Sequence, residues 1–399
     1  MKSKSPRPRL RRQTLDLIWR AFIWFRRRTR LYLRGTRNWW NEHLDTEIVP
    51  YLGYASKHHA LIAGRVVKDR SITPATPHAT RWRNLVNTYK RFTSHEIPNA
   101  RVRASLAANS KDFISNEEGY FSGWLELGGG LQSGWHPVSF ELISPKASGR
   151  SAHPYLGKVL VPPPNASFGV ISDIDDTVMQ THATRWLKVL YTVLVSNAAT
   201  RLPFKGVAAF YQALQRGAGG RESNPLFYVS SSPWNLYGLL LEFLELERIP
   251  LGPLLLRDWG ASRKFAGTEH ESHKGRSIRG ILETYPELPF ILIGDSGQED
   301  PEIYKNVVHE YRSRILAVYI REVSGGARAG AIAGLAGEVE ACGSTLVLAE
   351  DTLAAAEHAA ARGWIRFEDV ALVASAKEAD DRRGMWDARA ASVDGRGVP

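Results

Sequence analysis

The segment FGVISDIDDTVMQ, residues 168–180, places three aspartates within four positions directly after an apolar run. The run at 168–171 is typical of a buried strand. Asp173 and Asp175 lie two residues apart, so an extended strand end projects both side chains to the same side. Carboxylates this close repel one another unless a positive charge lies between them. The crowding therefore favours a site for a divalent cation, with a solvated Asp-rich turn as the alternative. Magnesium typically takes one or two carboxylates, some waters and a phosphate.

The sequence around this segment predicts an α/β domain. Apolar strands are expected at FGVISDID, PLFYVSS, LPFILIGDS and RILAVYIREV, with helical stretches such as NLYGLLLEFLELE and GRSIRGILETY between them. Open sheets of this kind carry their active residues just beyond the carboxyl ends of the strands. Since the aspartates lie at such an end, the pattern predicts a functional site there.

The regions before and after this domain have a different composition. Strand-length segments ALIAGRVV, ARVRASLA, GYFSGWLEL and HPVSFELI, separated by turn residues, predict a β-rich, sandwich-like or small-barrel domain. A proline-rich linker, VLVPPPNAS, follows them, and the end of the chain is polar. The predicted parts are a basic arm at 1–47, a β-rich domain at 48–163, an α/β domain at 164–374 and a disordered tail at 375–399.

The positive charge of the chain is concentrated at its N-terminus. The formal net charge is +11, but residues 1–40 contain 13 Lys and Arg against the single acid Asp16, so the rest of the chain is close to neutral. From Gln13 to about Leu33 the pattern predicts a basic amphipathic helix with Trp and Phe on its apolar side. Such a helix either lies on an anionic membrane surface or packs on its own protein. Arginines alone do not distinguish lipid from nucleic acid, but nucleic acid is not the expected partner.

The compartment is predicted from cysteine usage and hydropathy. A single cysteine, Cys342, excludes an internal disulfide and a multi-cysteine metal site, which favours a reducing, cytoplasmic compartment. Without a run of 18 apolar residues, no bilayer-spanning helix is expected. Arginines interrupt the apolar part of the N-terminus and no cleavage site follows, so an export signal is disfavoured, while an organelle presequence stays open.

Two further strand ends carry polar groups. PLFYVSSSPWN ends at three serines, 230–232, whose hydroxyl and N–H groups could hold phosphate oxygens, although a Ser-Pro turn would look the same. FILIGDSGQED ends at Asp295 and continues to Glu299 and Asp300. This second carboxylate cluster is suited to completing a metal site, but it could also be a turn into a helix with an acidic start.

Other site types are disfavoured by spacing. Lys274, in GTEHESHKGRSIRG, begins a helical stretch and could balance charge on a phosphoryl group. His270 and His273 nearby lack the i, i+4 spacing of a helical zinc pair. An EF-hand starting at Asp173 would need glycine and glutamate where Val178 and Thr184 stand. The chain also lacks the glycine fingerprints of phosphate-binding and dinucleotide-binding loops.

The ordered pattern D-x-D-x-T, a serine after a strand, a lysine, then G-D-x-x-x-x-D resembles the haloacid dehalogenase-like phosphatases. SDIDDTVMQT, YVSSSPWNLY, HKGRSIRGIL and LIGDSGQEDPEIY are more narrowly similar to the catalytic domain of actin-patch-associated phosphatidate phosphatases and their bacterial relatives, over roughly residues 165–325. VPYLGYASKHHALIAGRV and WRNLVNTYKRF resemble the region that precedes that domain. The resemblance implies a haloacid dehalogenase-like Rossmannoid α/β domain with a parallel sheet.

The resemblance also implies a role for each matching residue. Asp173 would be the nucleophile, Asp175 the general acid and base, and Lys274 the group that stabilises charge. Substrate phosphate would be bound by Ser230, with Ser231 as an alternative, and by Thr177. Magnesium would be held by Asp173, Asp175 (through its backbone carbonyl), Asp295 and Asp300, with Glu299 competing for the last position.

These roles together imply an activity. The chain is expected to be a Mg²⁺-dependent phosphomonoester phosphatase that forms an aspartyl-phosphate and hydrolyses phosphatidate to diacylglycerol and phosphate, peripherally at a membrane. One alternative keeps the phosphatase with a soluble phosphomonoester. The other is a non-enzymatic adaptor that binds a membrane or another polyanion.

Overall fold

The structure is a computed structural model that describes residues 46–68, 96–145, 154–175, 177–178, 204–257 and 272–394. The predicted basic helix and nearly all of the arm, the WRNLVNTYKRF segment, and Asp176 and His270 lie outside the described residues.

The first part of the described chain is β-rich, as predicted. Its strands are β1 Thr46–Pro50, β2 Gly53–Ala55, β3 His59–Lys68, β4 Arg101–Leu106, β5 Asn109–Ile114, β6 Tyr120–Glu126, β7 Gly134–Ser144 and β8 Tyr155–Val161. They form one sheet in the order β1-β3-β2-β8-β7-β4-β5, and β6 pairs with β3. Phe113 of β5 and Phe121 of β6 have ring centroids 6.1 Å apart, so the two ends of the sheet approach each other. The sheet therefore curves around a single apolar core.

The second sheet is parallel. Its strands are β9 Gly169–Ser172, β10 Leu226–Pro233, β11 Leu254–Arg257, β12 Phe290–Asp295, β13 Ile315–Arg321 and β14 Thr345–Ala349. Their order is β11-β10-β9-β12-β13-β14, and every neighbouring pair is parallel. The chain leaves β9 toward β10 on one side and returns to β12 on the other. The strand order therefore reverses at β9, where ligands usually bind beyond the carboxyl ends of such strands.

Helices cover both faces of the parallel sheet. Those described are α1 Val207–Arg216, α2 Tyr237–Leu246, α3 His273–Thr284, α4 Asp300–Glu310, α5 Ala329–Glu340, α6 Thr352–Ala361 and α7 Phe367–Asp394. Helices α1, α2, α6 and α7 contribute to the apolar core on one face, and α3, α4 and α5 contribute to the core on the other. Because both faces are covered, β9 and β12 are buried along their whole length. The predicted mixed α/β content and parallel sheet are confirmed.

Helix α7 extends to Asp394, so the structure describes a helix over most of the segment from residue 375 that was predicted to be a disordered tail. Polar composition showed correctly that this segment forms no core of its own. The helix nevertheless packs along α1: Val373 is fully buried, Asp380 accepts a hydrogen bond of 2.9 Å from the Gly206 N–H, and Asp381 forms an ion pair with Lys205. Alanine, lysine, glutamate and arginine favour helix strongly enough to continue it from this docked start.

The turn between β1 and β2 contacts the parallel-sheet part of the chain. The ring of Tyr51 stacks on Trp234 with centroids 4.6 Å apart, and the Leu52 N–H donates a 2.6 Å hydrogen bond to the Tyr237 hydroxyl. Trp234 directly follows β10, so the β-rich sheet supports the segment that leaves one of the strand ends of interest. Within the described residues, every helix is too short or too polar to cross a bilayer.

Candidate active site

The two aspartates after β9 lie at the carboxyl edge of the parallel sheet. The Asp173 N–H extends the pairing with β12 by donating to the Ile293 carbonyl at 2.8 Å. Ile174 points into the apolar core, so alternation turns both neighbouring carboxylates away from it. Asp173 is fully buried and Asp175 is 9% exposed. The Val178 N–H bonds back to the Ile174 carbonyl at 3.0 Å, so the chain turns immediately after the carboxylates.

The serines after β10 face Asp175. The hydroxyls of Ser230 and Ser232 donate to Asp175 Oδ2 at 2.7 and 2.8 Å, and the Ser232 N–H donates to Ser230 Oγ at 2.9 Å. Ser231 lies between them and is half-buried. Because side chains alternate along a strand, Ser231 projects to the opposite side. Thr177, on the other side of the site, donates to Asp173 Oδ2 at 3.4 Å.

Lys274 enters the site from the first turn of α3. The helix start is fixed by Ser272, whose hydroxyl accepts from the Gly275 N–H at 3.1 Å. Lys274 is 3% exposed, and its Nζ lies 2.5 Å from Asp300 Oδ1 and 2.9 Å from Asp173 Oδ1. Burying a lysine is costly unless it is paired, and these two carboxylates provide the partners.

The strand end after β12 supplies two more carboxylates. Asp295 Oδ1 accepts from the Gly297 and Gln298 N–H groups at 2.6 and 3.0 Å, which fixes the turn that follows the strand. Asp300, at the start of α4, accepts from the Asp295 N–H at 3.3 Å through Oδ2. Both carboxylates are fully buried, whereas Glu299 is exposed. The structure therefore brings Asp300, and not Glu299, into the cluster.

Three of these carboxylates are close enough to share a cation. One oxygen each from Asp173, Asp295 and Asp300 lies within 4.8 Å of the others. Asp175 Oδ1 is buried and has no hydrogen-bond partner among the described residues, and Asp173 Oδ1 contacts Lys274 without accepting a well-formed hydrogen bond. Among the described residues, Lys274 pairs with Asp173 and Asp300 in this crowded set of buried aspartates. This all-oxygen donor set fits a divalent cation of the magnesium type.

Electrostatics at the site follow from burial. Burial raises the pKa of the Asp173 carboxyl well above its usual range; Asp300, Asp175 and Asp295 add to this shift and Lys274 opposes it. For Lys274, burial alone would lower the pKa, but Asp173 and Asp300 together raise it above its ordinary value. Lys274 is thus held in its charged form between two carboxylates.

Sequence reasoning gave one residue of the site no role of its own and missed another. Ser232 was noted within the run of serines 230–232, and alternation along β10 pairs it with Ser230. Gln298 donates from Nε2 to the Asp175 carbonyl at 3.4 Å and to Asp295 Oδ2 at 3.2 Å. No local signal announces Gln298, since its contacts depend on two strand ends that meet only in the folded sheet.

The domain is an open parallel α/β sheet with buried carboxylates, serines and a lysine clustered at its carboxyl edge. This arrangement is typical of domains that carry out reactions on anionic ligands. Residues 168–322 match the family model described as "Phosphatidate phosphatase APP1, catalytic domain". The family resemblance of the four motifs is thereby confirmed, and the similarity supports a phosphatidate phosphatase-like hydrolase.

Individual proteins show the same similarity. Phosphatidate phosphatase APP1 of Saccharomyces cerevisiae is 33% identical over 156 residues, which cover 38% of this chain and 25% of the yeast protein. An uncharacterized protein of Schizosaccharomyces pombe is 28% identical over 156 residues, 39% of this chain and 25% of that protein. The chain thus spans about a quarter of the length of the curated relatives it matches.

A likeness among solved structures is much weaker. A carbohydrate acetylesterase from Xanthomonas citri covers 67% of this chain and 66% of its own, with 11% sequence identity and a TM-score of 0.24. That score is too low to indicate a common fold.

Proposed function

We propose that the chain is a Mg²⁺-dependent phosphatase of the haloacid dehalogenase-like type that hydrolyses phosphatidate through an aspartyl-phosphate on Asp173. The observation that carries the proposal is the meeting of four motifs at one sheet edge. Within the segment that matches the APP1 catalytic domain, Lys274 contacts Asp173 at 2.9 Å and Ser230 contacts Asp175 at 2.7 Å. One oxygen of Asp295 lies within 4.8 Å of one of Asp173, although the two residues are 122 positions apart in sequence.

The cation would be held by Asp173, Asp295, Asp300 and the Asp175 backbone carbonyl. When bound, Mg²⁺ would supply positive charge that allows an anionic phosphate to approach anionic carboxylates. The buried carboxylate oxygens within 4.8 Å of one another support this assignment. Lys274, whose Nζ contacts both Asp173 and Asp300, contributes a fixed positive charge at the same site.

The nucleophile would be the Asp173 carboxylate. One of its oxygens attacks phosphorus, the ester P–O bond breaks, and the aspartyl-phosphate forms while the alcohol leaves. Burial holds Asp173 in a fixed position between Lys274 and Thr177. The Ser230 hydroxyl, with Thr177, would hold phosphate oxygens, and Ser230 would then exchange part of its contact with Asp175 for the substrate.

Asp175 would move the protons of the reaction. It gives a proton to the leaving oxygen in the first step and takes one from water in the second. The water oxygen then attacks phosphorus, the bond between phosphorus and the Asp173 oxygen breaks, and phosphate is released. Its Oδ2 atom is fixed by Ser230 and Ser232, whereas its Oδ1 atom has no hydrogen-bond partner among the described residues. Oδ1 is therefore the oxygen available to the leaving group and the water.

The lipid substrate is supported by the printed descriptions of the matching family and of the yeast relative. Residues 1–40, with their excess of arginine, would bring the enzyme to the anionic surface of a membrane in the cytoplasm, where phosphatidate lies.

The test is phosphate release from phosphatidate in mixed micelles containing Mg²⁺, beside a panel of soluble phosphomonoesters. Asp173→Asn is expected to lower release roughly 10⁴-fold, because the nucleophile is lost. Glu299→Gln removes a neighbouring but exposed carboxylate and should retain activity. A chain lacking residues 1–40 should lose activity on micelles and keep it on a water-soluble, short-chain phosphatidate.

Each other result has a definite meaning. Release from soluble esters alone would keep the mechanism and reject the lipid. Equal activity of Asp173→Asn and wild type would reject the mechanism. No release from any phosphomonoester would favour the adaptor.

A further inference from the structure

One side-chain amide bridges the two central strand ends of the site. Gln298 Nε2 donates to the backbone carbonyl of Asp175, after β9, at 3.4 Å and to Asp295 Oδ2, at the end of β12, at 3.2 Å. Strands β9 and β12 are neighbours in the sheet. A single nitrogen therefore ties together two segments that carry carboxylates of the cluster.

Both acceptors are among the oxygens that the proposed function assigns to the cation. Asp295 contributes one of the three carboxylate oxygens within 4.8 Å of one another, and the Asp175 carbonyl is a further oxygen at the same edge. Oxygens that converge on one donor present their lone pairs toward one place. An amide N–H group binds such lone pairs weakly through hydrogen bonds, whereas a divalent cation binds them strongly by coordination.

The backbone of Gln298 is held independently of its side chain. Its N–H donates to Asp295 Oδ1 at 3.0 Å, and its carbonyl accepts from the guanidinium of Arg328. Arg328 also donates to the Ser296 carbonyl at 2.9 Å and pairs with Glu302. The half-buried side chain can therefore leave its two acceptors without displacement of the turn.

We propose that Gln298 is a placeholder for the cation: its amide joins the Asp175 carbonyl to Asp295 when no cation is bound and leaves these oxygens when a cation binds. This inference rests on the magnesium site of the proposed function. Because two hydrogen bonds are broken on binding, Gln298 lowers the affinity for the cation while it stabilises the protein without it. Gln298 is thus a positioning residue that tunes cation affinity.

The test compares three variants without divalent cation and with added Mg²⁺. Gln298→Met keeps the length of the side chain and removes the donor. Gln298→Glu replaces the donor by a carboxylate. Gln212→Met is the matched control, since Gln212 Nε2 donates to the Arg248 carbonyl at 2.8 Å, far from the site. Thermal unfolding after chelation and Mg²⁺ binding by titration calorimetry are measured for each full-length protein.

Gln298→Met is expected to lower the unfolding midpoint without cation and to bind Mg²⁺ about five- to tenfold more tightly than wild type. That is the lower end of what the loss of two hydrogen bonds gives, because these two are long, at 3.4 and 3.2 Å. Gln298→Glu should show both effects more strongly, because its carboxylate is repelled by the same oxygens until a cation arrives. Gln212→Met should lower the midpoint and leave Mg²⁺ affinity unchanged.

The opposite results overturn the placeholder in different ways. Weaker Mg²⁺ binding by Gln298→Met would make the Gln298 Oε1 atom a ligand. Unchanged binding would reduce Gln298 to a structural contact. If wild type itself binds no Mg²⁺, the cation site of the proposed function fails first, and the placeholder fails with it.

Discussion

Two aspartates, one in each sheet, show what burial does to the same functional group. Asp112, on the outer face of the β-rich sheet, accepts from Arg103 and from Arg101, each at 2.8 Å, near solvent. Asp173, at the edge of the parallel sheet, is fully buried with one lysine and three further aspartates. The hydrogen bond from Arg103 lowers the pKa of Asp112, whereas burial raises that of Asp173. Carboxylates with enough positive partners are structural; the crowded, underpaired ones are suited to chemistry.

The largest expected effect comes from removal of the Lys274 ammonium group, which pairs with two of the buried carboxylates. Lys274→Met leaves Asp173 and Asp300 buried without their shared partner. We expect the free energy of unfolding at pH 7, without divalent cation, to fall by about 3 kcal/mol. Added Mg²⁺ should recover part of the loss. Urea denaturation measures this, and a stability equal to that of wild type would show that Lys274 does not hold the carboxylates together.

An intermediate effect is expected from Asp295→Asn. The amide oxygen can still accept from the Gly297 and Gln298 N–H groups, so the turn is kept, but one carboxylate oxygen of the proposed cation site is replaced by an amide group. Mg²⁺ affinity should therefore fall at least about tenfold, as titration calorimetry measures. Unchanged Mg²⁺ affinity would show that Asp295 does not hold the cation.

The smallest effect is expected at the surface pair. Asp112→Asn should destabilise the protein only slightly at pH 7, because exposed ion pairs contribute little and salt screens them. The pKa of Asp112 is lowered on folding, so its contribution is present above the unfolded pKa and is lost as pH falls through the folded value. The difference between variant and wild type should therefore shrink on acidification and in 1 M salt. A difference that grew under either condition would contradict the comparison.

Sequence patterns predicted those strands and site residues that neighbouring residues along the chain determine. Asp173, Lys274 and Asp295 were found because each follows or begins a recognisable element, and parallel strands bring their carboxyl ends to one edge. The choice between Glu299 and Asp300 could not be made, since one residue along a turn decides which carboxylate enters the core. Ser230 was favoured with Ser231 as an alternative, and only alternation along β10 in the folded sheet places Ser230 on the side of Asp175.

Contacts between distant segments were beyond prediction. Gln298 reaches Asp175 across 123 positions, and nothing near either residue in the sequence indicates the partner. The part of helix α7 from residue 375 was predicted to be disordered because its polar composition cannot form a core of its own. The helix packs instead against α1. The predicted domain boundaries and catalytic roles stay predictions.

The stacking of Tyr51 on Trp234 shows that the segment matched by the family model packs against residues outside that segment. The family match ends at residue 322, before β14, α6 and α7, and it begins well after Tyr51. Yet α6 and α7 complete one face of the parallel sheet, and Tyr51 packs on Trp234, which follows the serines that contact Asp175. Residues 168–322 cut out alone would carry every proposed catalytic group but lose both supports. The proposed catalytic residues therefore lie in one stretch of sequence, whereas segments on both sides of that stretch help to hold them in position.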